Sequence, residues 1–317
     1  DDGVLVSSAR GIWAVKVSFL VLCATALFQL VIVGLSGSVA LFADTIHNFS
    51  DALTALPLWI AFALGRRAAT RRYPYGYGRA EDLAGAFIVL MIAISAIIAG
   101  WESVRRLLQP QPLTNVNLVI VAAVIGFLGN EAVAVFRIRV GKEIGSAALI
   151  ADGYHARVDG LTSLAVLFGS VGVLLGFPLA DPLVGLGITG MILFILRDTV
   201  IQVWYRLMDA NDPELLNRFE QSALVVPGVQ EVEGVRARWL GHHLEAEIWL
   251  IVNEDIPTLE SHAIGEAVRH ALYHMEPKLG NIVVHVDPCG HTGTEAHGVT
   301  SHHAGSGMPL RDSRSHL

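Results

Sequence analysis

Twice along this chain an aspartate, a histidine and a second aspartate recur at one spacing. Residues 43–56 read A-D-T-I-H-N-F-S-D-A-L-T-A-L and residues 151–164 read A-D-G-Y-H-A-R-V-D-G-L-T-S-L, with seven of the 14 positions identical. Both copies contain A-D-x-x-H-x-x-x-D inside otherwise apolar sequence. On a helix, residues i and i+4 are neighbours, about 5–6 Å apart at Cβ. His47 with Asp51, and His155 with Asp159, therefore each offer an imidazole beside a carboxylate. Two imidazole nitrogens and two carboxylate oxygens make a four-coordinate set suited to a tetrahedral divalent ion such as Zn2+. Calcium and magnesium prefer all-oxygen shells, and the lack of sulfur argues against copper(I). Asp44 and Asp152 precede each histidine by three residues. They fit either a carboxylate that orients the imidazole or a lining of the aqueous approach.

The elements that carry these residues follow from hydropathy. Of the 317 residues, 53% are hydrophobic and 16% charged, against about 25% charged in a soluble domain. Six apolar stretches reach bilayer length, at roughly 13–35, 38–64, 82–104, 115–136, 145–175 and 182–205. The first is too long for the apolar core of a signal peptide. The loops after the second and fourth spans hold Arg66, Arg67, Arg71, Arg72, Arg79, and Arg137, Arg139, Lys142. By the positive-inside rule both ends of the chain are expected in the cytoplasm, with Arg105 and Arg106 as exceptions. The second span then runs inward and the fifth outward, so the two motifs face each other near the midplane, as in inverted-repeat transporters. Each intramembrane charge costs at least about 2.5–3.5 kcal/mol, a cost that simple packing of four ionisable groups leaves without offset. A hydrolytic metalloenzyme would want an open zinc position and a motif such as H-E-x-x-H, which is absent. A membrane-bound metal sensor remains an alternative to a carrier. Glu131, in the fourth span, fits a proton path or a hydrogen bond to a neighbouring helix.

Beyond residue 206 the character changes. Residues 207–290 carry 5 basic and 14 acidic side chains, which excludes nucleic acid as a partner. Asp212-Pro213 opens a helix over 212–225. Val232–Leu240 and His243–Val252 read as strands, the second alternating Leu244, Ala246, Ile248, Leu250 with Glu245, Glu247, Trp249. A helix over 257–276, with Leu259, Ala263, Ala267, Ala271 and Met275 near helical spacing, and a strand over Asn281–Val286 complete an αββαβ order. His242 and His243 are expected on the surface of the hairpin turn. From residue 291 onward, His291, His297, His302, His303 and His316 stand among Gly, Ser and Thr, a composition expected to be disordered. The two cysteines, Cys23 and Cys289, exclude a disulfide framework.

These features resemble the cation diffusion facilitator family, over nearly everything from the first span to about Pro288. The H-x-x-x-D pairs carry the resemblance most specifically. Tyr73-Pro74-Tyr75-Gly76-Tyr77-Gly78-Arg79-Ala80-Glu81, leading into the third span, and Val284-His285-Val286-Asp287-Pro288 also look like family signatures. The resemblance implies three regions: a six-helix transport domain over 1–206, a ferredoxin-like, metallochaperone-like dimerisation domain over 207–290, and a His-containing tail over 291–317. It implies a homodimer in a lipid bilayer, expected to be a bacterial inner membrane, exporting Zn2+ in exchange for protons, with Cd2+, Co2+, Fe2+ or Mn2+ as alternative cargo. Some relatives hold a second metal between spans two and three. Here Thr70, Tyr73 and Tyr77 are not a zinc set, and that site is expected to be absent. His262, His285 and Asp287 match positions of a cytoplasmic metal site in some relatives, although Trp249 stands where one has histidine.

Overall fold

The computed structural model describes residues 2–36, 55–109, 116–177 and 179–288. It divides into two compact units, one over Val4–Leu207 and one beginning at Met208.

The first unit is helical: α1 (Asp2–Ser36), α2 (Ala55–Gly65), α3 (Arg79–Leu108), α4 (Val116–Ile144), α5 (Ala147–Leu174) and α6 (Ala180–Leu207). Five of these are long and apolar enough to cross a membrane. α2 is the end of the expected second span, whose earlier part, with Asp44, His47 and Asp51, lies outside the described residues. α4 outruns its expected end at residue 136 and carries Arg137, Arg139 and Lys142 as helix rather than loop. Charge ends a hydropathic run without ending a helix, because these side chains are good helix formers. The reversal into α5 takes two residues. Gly145 adopts φ 79°, a conformation glycine reaches without penalty. Ser146 then caps α5, its hydroxyl accepting from Leu149 N–H at 3.0 Å.

Leu58, Phe62, Ile88, Ile92, Leu149, Val158 and Ile192 form the centre of this unit. Large apolar side chains also cover its outside, among them Leu83, Ile97 and Trp101 of α3 and Phe194 and Trp204 of α6. A helix apolar on all sides belongs in a large core or a bilayer. The Arg106 exception to the charge pattern has a local cause: its guanidinium lies 3.0 Å from both Glu102 and Asp181.

The second unit contains α7 (Pro213–Leu224), β1 (Glu231–Leu240), β2 (His243–Val252), α8 (Thr258–Met275) and β3 (Leu279–Pro288). Asp212 caps α7 by accepting from Glu214 N–H at 3.0 Å. The sheet order is β1-β2-β3. β1 and β2 pair antiparallel with Arg236 opposite Glu247; β2 and β3 pair parallel with Ile248 opposite Val284. α8 supplies the crossover that a parallel pair requires. The expected alternation of β2 holds, with Leu244, Ala246, Ile248 and Leu250 all buried. They pack with Leu215, Phe219, Val268, Leu272 and Ile282.

Two expectations here are corrected. The inner face of α8 is Gly265, Val268 and Leu272, with Met275 against the core, while Leu259 is 81% exposed. A spacing of four advances 400° per step, so the run from Leu259 to Met275 drifts about 160° around the helix and cannot line one face. His242 is buried rather than on the surface, 6% exposed. Its ring meets that of His243 edge to face at 5.9 Å.

Candidate metal centre

Half of the anticipated ligand set lies on α5. His155 and Asp159 are 1% and 5% exposed, and His155 Nε2 lies 4.0 Å from Asp159 Oδ2. The backbone carbonyl of Asp159 accepts from Thr162 Oγ1 at 2.8 Å and Ser163 Oγ at 3.2 Å, holding the following turn. The partner residues His47 and Asp51, with Asp44, lie outside the described residues. Among the described residues, no three His, Cys, Asp or Glu side chains gather to hold a metal ion.

The position of α5 is set by small residues. A Cβ on Gly153 would stand 3.0 Å from Ile138 N and 3.1 Å from Ala134 O, and one on Gly141 would stand 3.0 Å from Ile150 N. Any side chain at either position would force α4 and α5 apart, the close-approach logic of small residues in membrane helices. That approach produces two ion pairs. Arg137 Nη1 lies 2.9 Å from Asp152 Oδ2, with both residues at most 1% exposed. Arg157 makes a two-bond fork to Glu131, Nη2 to Oε1 at 2.7 Å and Nε to Oε2 at 3.2 Å. Asp152, considered above as an orienter of the imidazole, is thus ion-paired to Arg137 of α4, and Glu131, considered as a proton carrier, is forked to Arg157.

At 100° per residue, His155 and Asp159 lie about 100–160° around α5 from Gly153 and Gly160, which face α4. Asp152 lies about 20° from Asp159 and about 60° from His155 around the same helix, so its ion pair with Arg137 borders the ligand face. Sequence reasoning missed Arg137, placing it in a loop. The available signal was Asp152 itself, since a carboxylate in an apolar span needs a cation.

A second polar group ties the ends of three helices. Arg79 donates to Arg206 O at 3.0 Å and lies 3.4 Å from Asp82. Arg206 donates to Gly145 O at 3.1 Å. Glu81 and Asp82 are buried there at 3% and 5% exposure. The signature stretch before α3 thus anchors α3, α6 and the α4–α5 turn. Tyr73 and Tyr77, in the preceding loop, pack ring to ring at 4.8 Å.

In the second unit His285 Nε2 lies 3.1 Å from Asp287 Oδ1, both on the row of β3 that alternates with Ile282, Val284 and Val286. His262 lies on α8 and lines a hollow of about 290 Å³ with Val284 and Val286.

The family model of the cation efflux transmembrane domain matches residues 15–208, and that of the cation efflux protein cytoplasmic domain matches residues 211–289. The chain belongs to the cation diffusion facilitator family. This cation efflux protein is 57% identical over 290 residues to the probable cation efflux system protein Rv2025c of Mycobacterium tuberculosis, covering 92% of this chain and 87% of that one. It is 29% identical over 268 residues to the magnetosome protein MamB of Paramagnetospirillum magneticum, covering 84% and 90%. Among solved structures, the cadmium form of a MamM CTD variant matches at 28% identity and a TM-score of 0.24, covering 25% of this chain and 98% of that one. The family transports divalent metal cations through an integral membrane domain, and its cytoplasmic domain is a dimerisation module.

Proposed function

We propose that this facilitator carries Zn2+ out of the cytoplasm in exchange for protons, as a homodimer working by alternating access. His47, Asp51, His155 and Asp159 form its transport site. The observation that carries this reading is the buried His155–Asp159 pair on one face of α5, repeated in sequence at His47 and Asp51. Two imidazoles and two carboxylates neutralise a divalent ion and leave no open position for an activated water. Such a site suits carriage. Zinc needs neutral imidazole and ionised carboxylate, so loading releases protons, and an acidic far side favours discharge. The loop charges support both ends of the chain in the cytoplasm, and the likeness to a bacterial cation efflux protein supports an inner-membrane location. On the cytoplasmic domain, His285 with Asp287, and His262, are candidates for a regulatory metal completed across the dimer.

The test is zinc uptake by inverted vesicles under an imposed pH gradient. Uptake should rise when the lumen is acidified and fall when the gradient is reversed. Flux indifferent to the gradient removes proton exchange, and flux of Cd2+, Co2+, Fe2+ or Mn2+ in preference to zinc changes the cargo.

A further inference from the structure

A second pair of imidazoles stands apart from every residue used so far. His270 and His274 lie one turn apart on α8, both exposed, with His270 Nε2 3.2 Å from His274 Nε2. Their ring centroids are 4.4 Å apart and their planes cross at 79°. Two zinc–nitrogen bonds of about 2.0–2.1 Å opening at a tetrahedral angle place their nitrogens roughly 3.3–3.4 Å apart. Cis nitrogens on a square-planar or octahedral ion stand closer, about 2.9 Å. The observed separation lies between these, so one borderline cation could replace the proton that the two nitrogens share and bind both with little movement of either ring.

The backbone reinforces the geometry. The inner face of α8 is locked by Val268 and Leu272, both fully buried. His270 and His274 are thereby held outward on a helix that needs no metal to form. His274 lies in the last turn, where the negative end of the helix dipole favours a bound cation. The neighbouring cation is occupied elsewhere: Arg269 Nη1 lies 3.2 Å from Glu266. Hydrogen bonds to Tyr273 and Glu266 raise the Arg269 pKa further above its ordinary range. The surrounding unit holds 14 acidic against 5 basic side chains, which raises the local concentration of divalent ions.

We infer that His270 and His274 form a bidentate surface site for a borderline divalent cation (Zn2+, Ni2+ or Cu2+), its remaining positions filled by water. This cytoplasmic-domain site is separate from His262, His285 and Asp287 and from the transport ligands. Open and exposed, it holds its ion in fast exchange and suits capture rather than storage.

The experiment is equilibrium dialysis of the full-length protein in detergent against Zn2+, repeated with Ni2+, for the parent and for His270→Ala, His274→Ala and the double variant. All carry Asp159→Ala, which disables the transport site, so binding on α8 is read independently of the proposed function. Both positions are exposed, and folding is checked by circular dichroism. Each single variant should lose one ion per chain, or bind it about 10–100-fold more weakly, the least that loss of a ligand should cost given the effect of outer-shell partners. The double variant should lose no more than either single one. Unchanged binding in the single variants, or losses that add in the double, would overturn the shared site.

Discussion

One spacing recurs in two different surroundings in this protein. On α5, His155 and Asp159 stand four residues apart at 1% and 5% exposure. On α8, His270 and His274 stand four residues apart in solvent. The helix supplies the same juxtaposition in both places, and the surroundings decide its use. In an apolar span a charge has no water to lean on, so the buried pair combines a carboxylate with an imidazole and calls for a matching pair from another helix. In solvent, the proposed site needs only the two imidazoles, with water to complete the shell. On the proposed reading, selectivity belongs to the first arrangement and rapid exchange to the second.

The sharpest way to break this comparison is to remove one ligand from each. Asp159→Ala should abolish zinc flux in vesicles while the protein still folds, whereas His274→Ala should leave saturated flux within about twofold of the parent. Retained flux in Asp159→Ala would remove α5 from the transport site. Strong loss in His274→Ala would make the outer pair part of the path.

The same contrast applies to ion pairs. Arg137–Asp152 is almost wholly enclosed. Arg137→Ala strands a buried carboxylate and should cost about 3–5 kcal/mol, read as a marked fall in melting temperature in detergent. The double variant Arg137→Met, Asp152→Leu removes both charges and should recover most of that loss. A double variant as unstable as the single one would mean that the pair contributes more than charge compensation.

The smallest effect is expected where solvent reaches the pair. Arg238 Nη2 lies 3.0 Å from Glu245, with the two side chains 34% and 17% exposed. Arg238→Ala should change stability by about 0–1 kcal/mol. A loss approaching that of Arg137→Ala would show that partial exposure does not screen this sheet face.

Legibility in the sequence followed the range of the interaction. The alternation of β2 was readable because a strand repeats every two residues, and a half-buried sheet admits one phase only. α8 was readable as a helix but not in its facing. Its alanines are indifferent to either side, and the bulkier Val268 and Leu272 decide what turns inward. The turn at Asp212 and the cap at Ser146 were local chemistry, visible for the former and missed for the latter.

By itself the sequence determined the repeated H-x-x-x-D motif, the lengths of the apolar spans, the αββαβ order and the acidic excess beyond residue 206. All are one-dimensional properties: a period, a length or a count. Tertiary structure decided which partners meet. Arg137 reads as a loop cation until Gly141 and Gly153 let α4 approach α5 and bring it 2.9 Å from Asp152. Arg157 and Glu131, 26 residues apart, join for the same reason. The burial of His242 and the outward face of α8 also depend on packing. A local pattern can require that a charge be matched, but the matching group is chosen by whichever helix comes close, and that is settled by the volume between them.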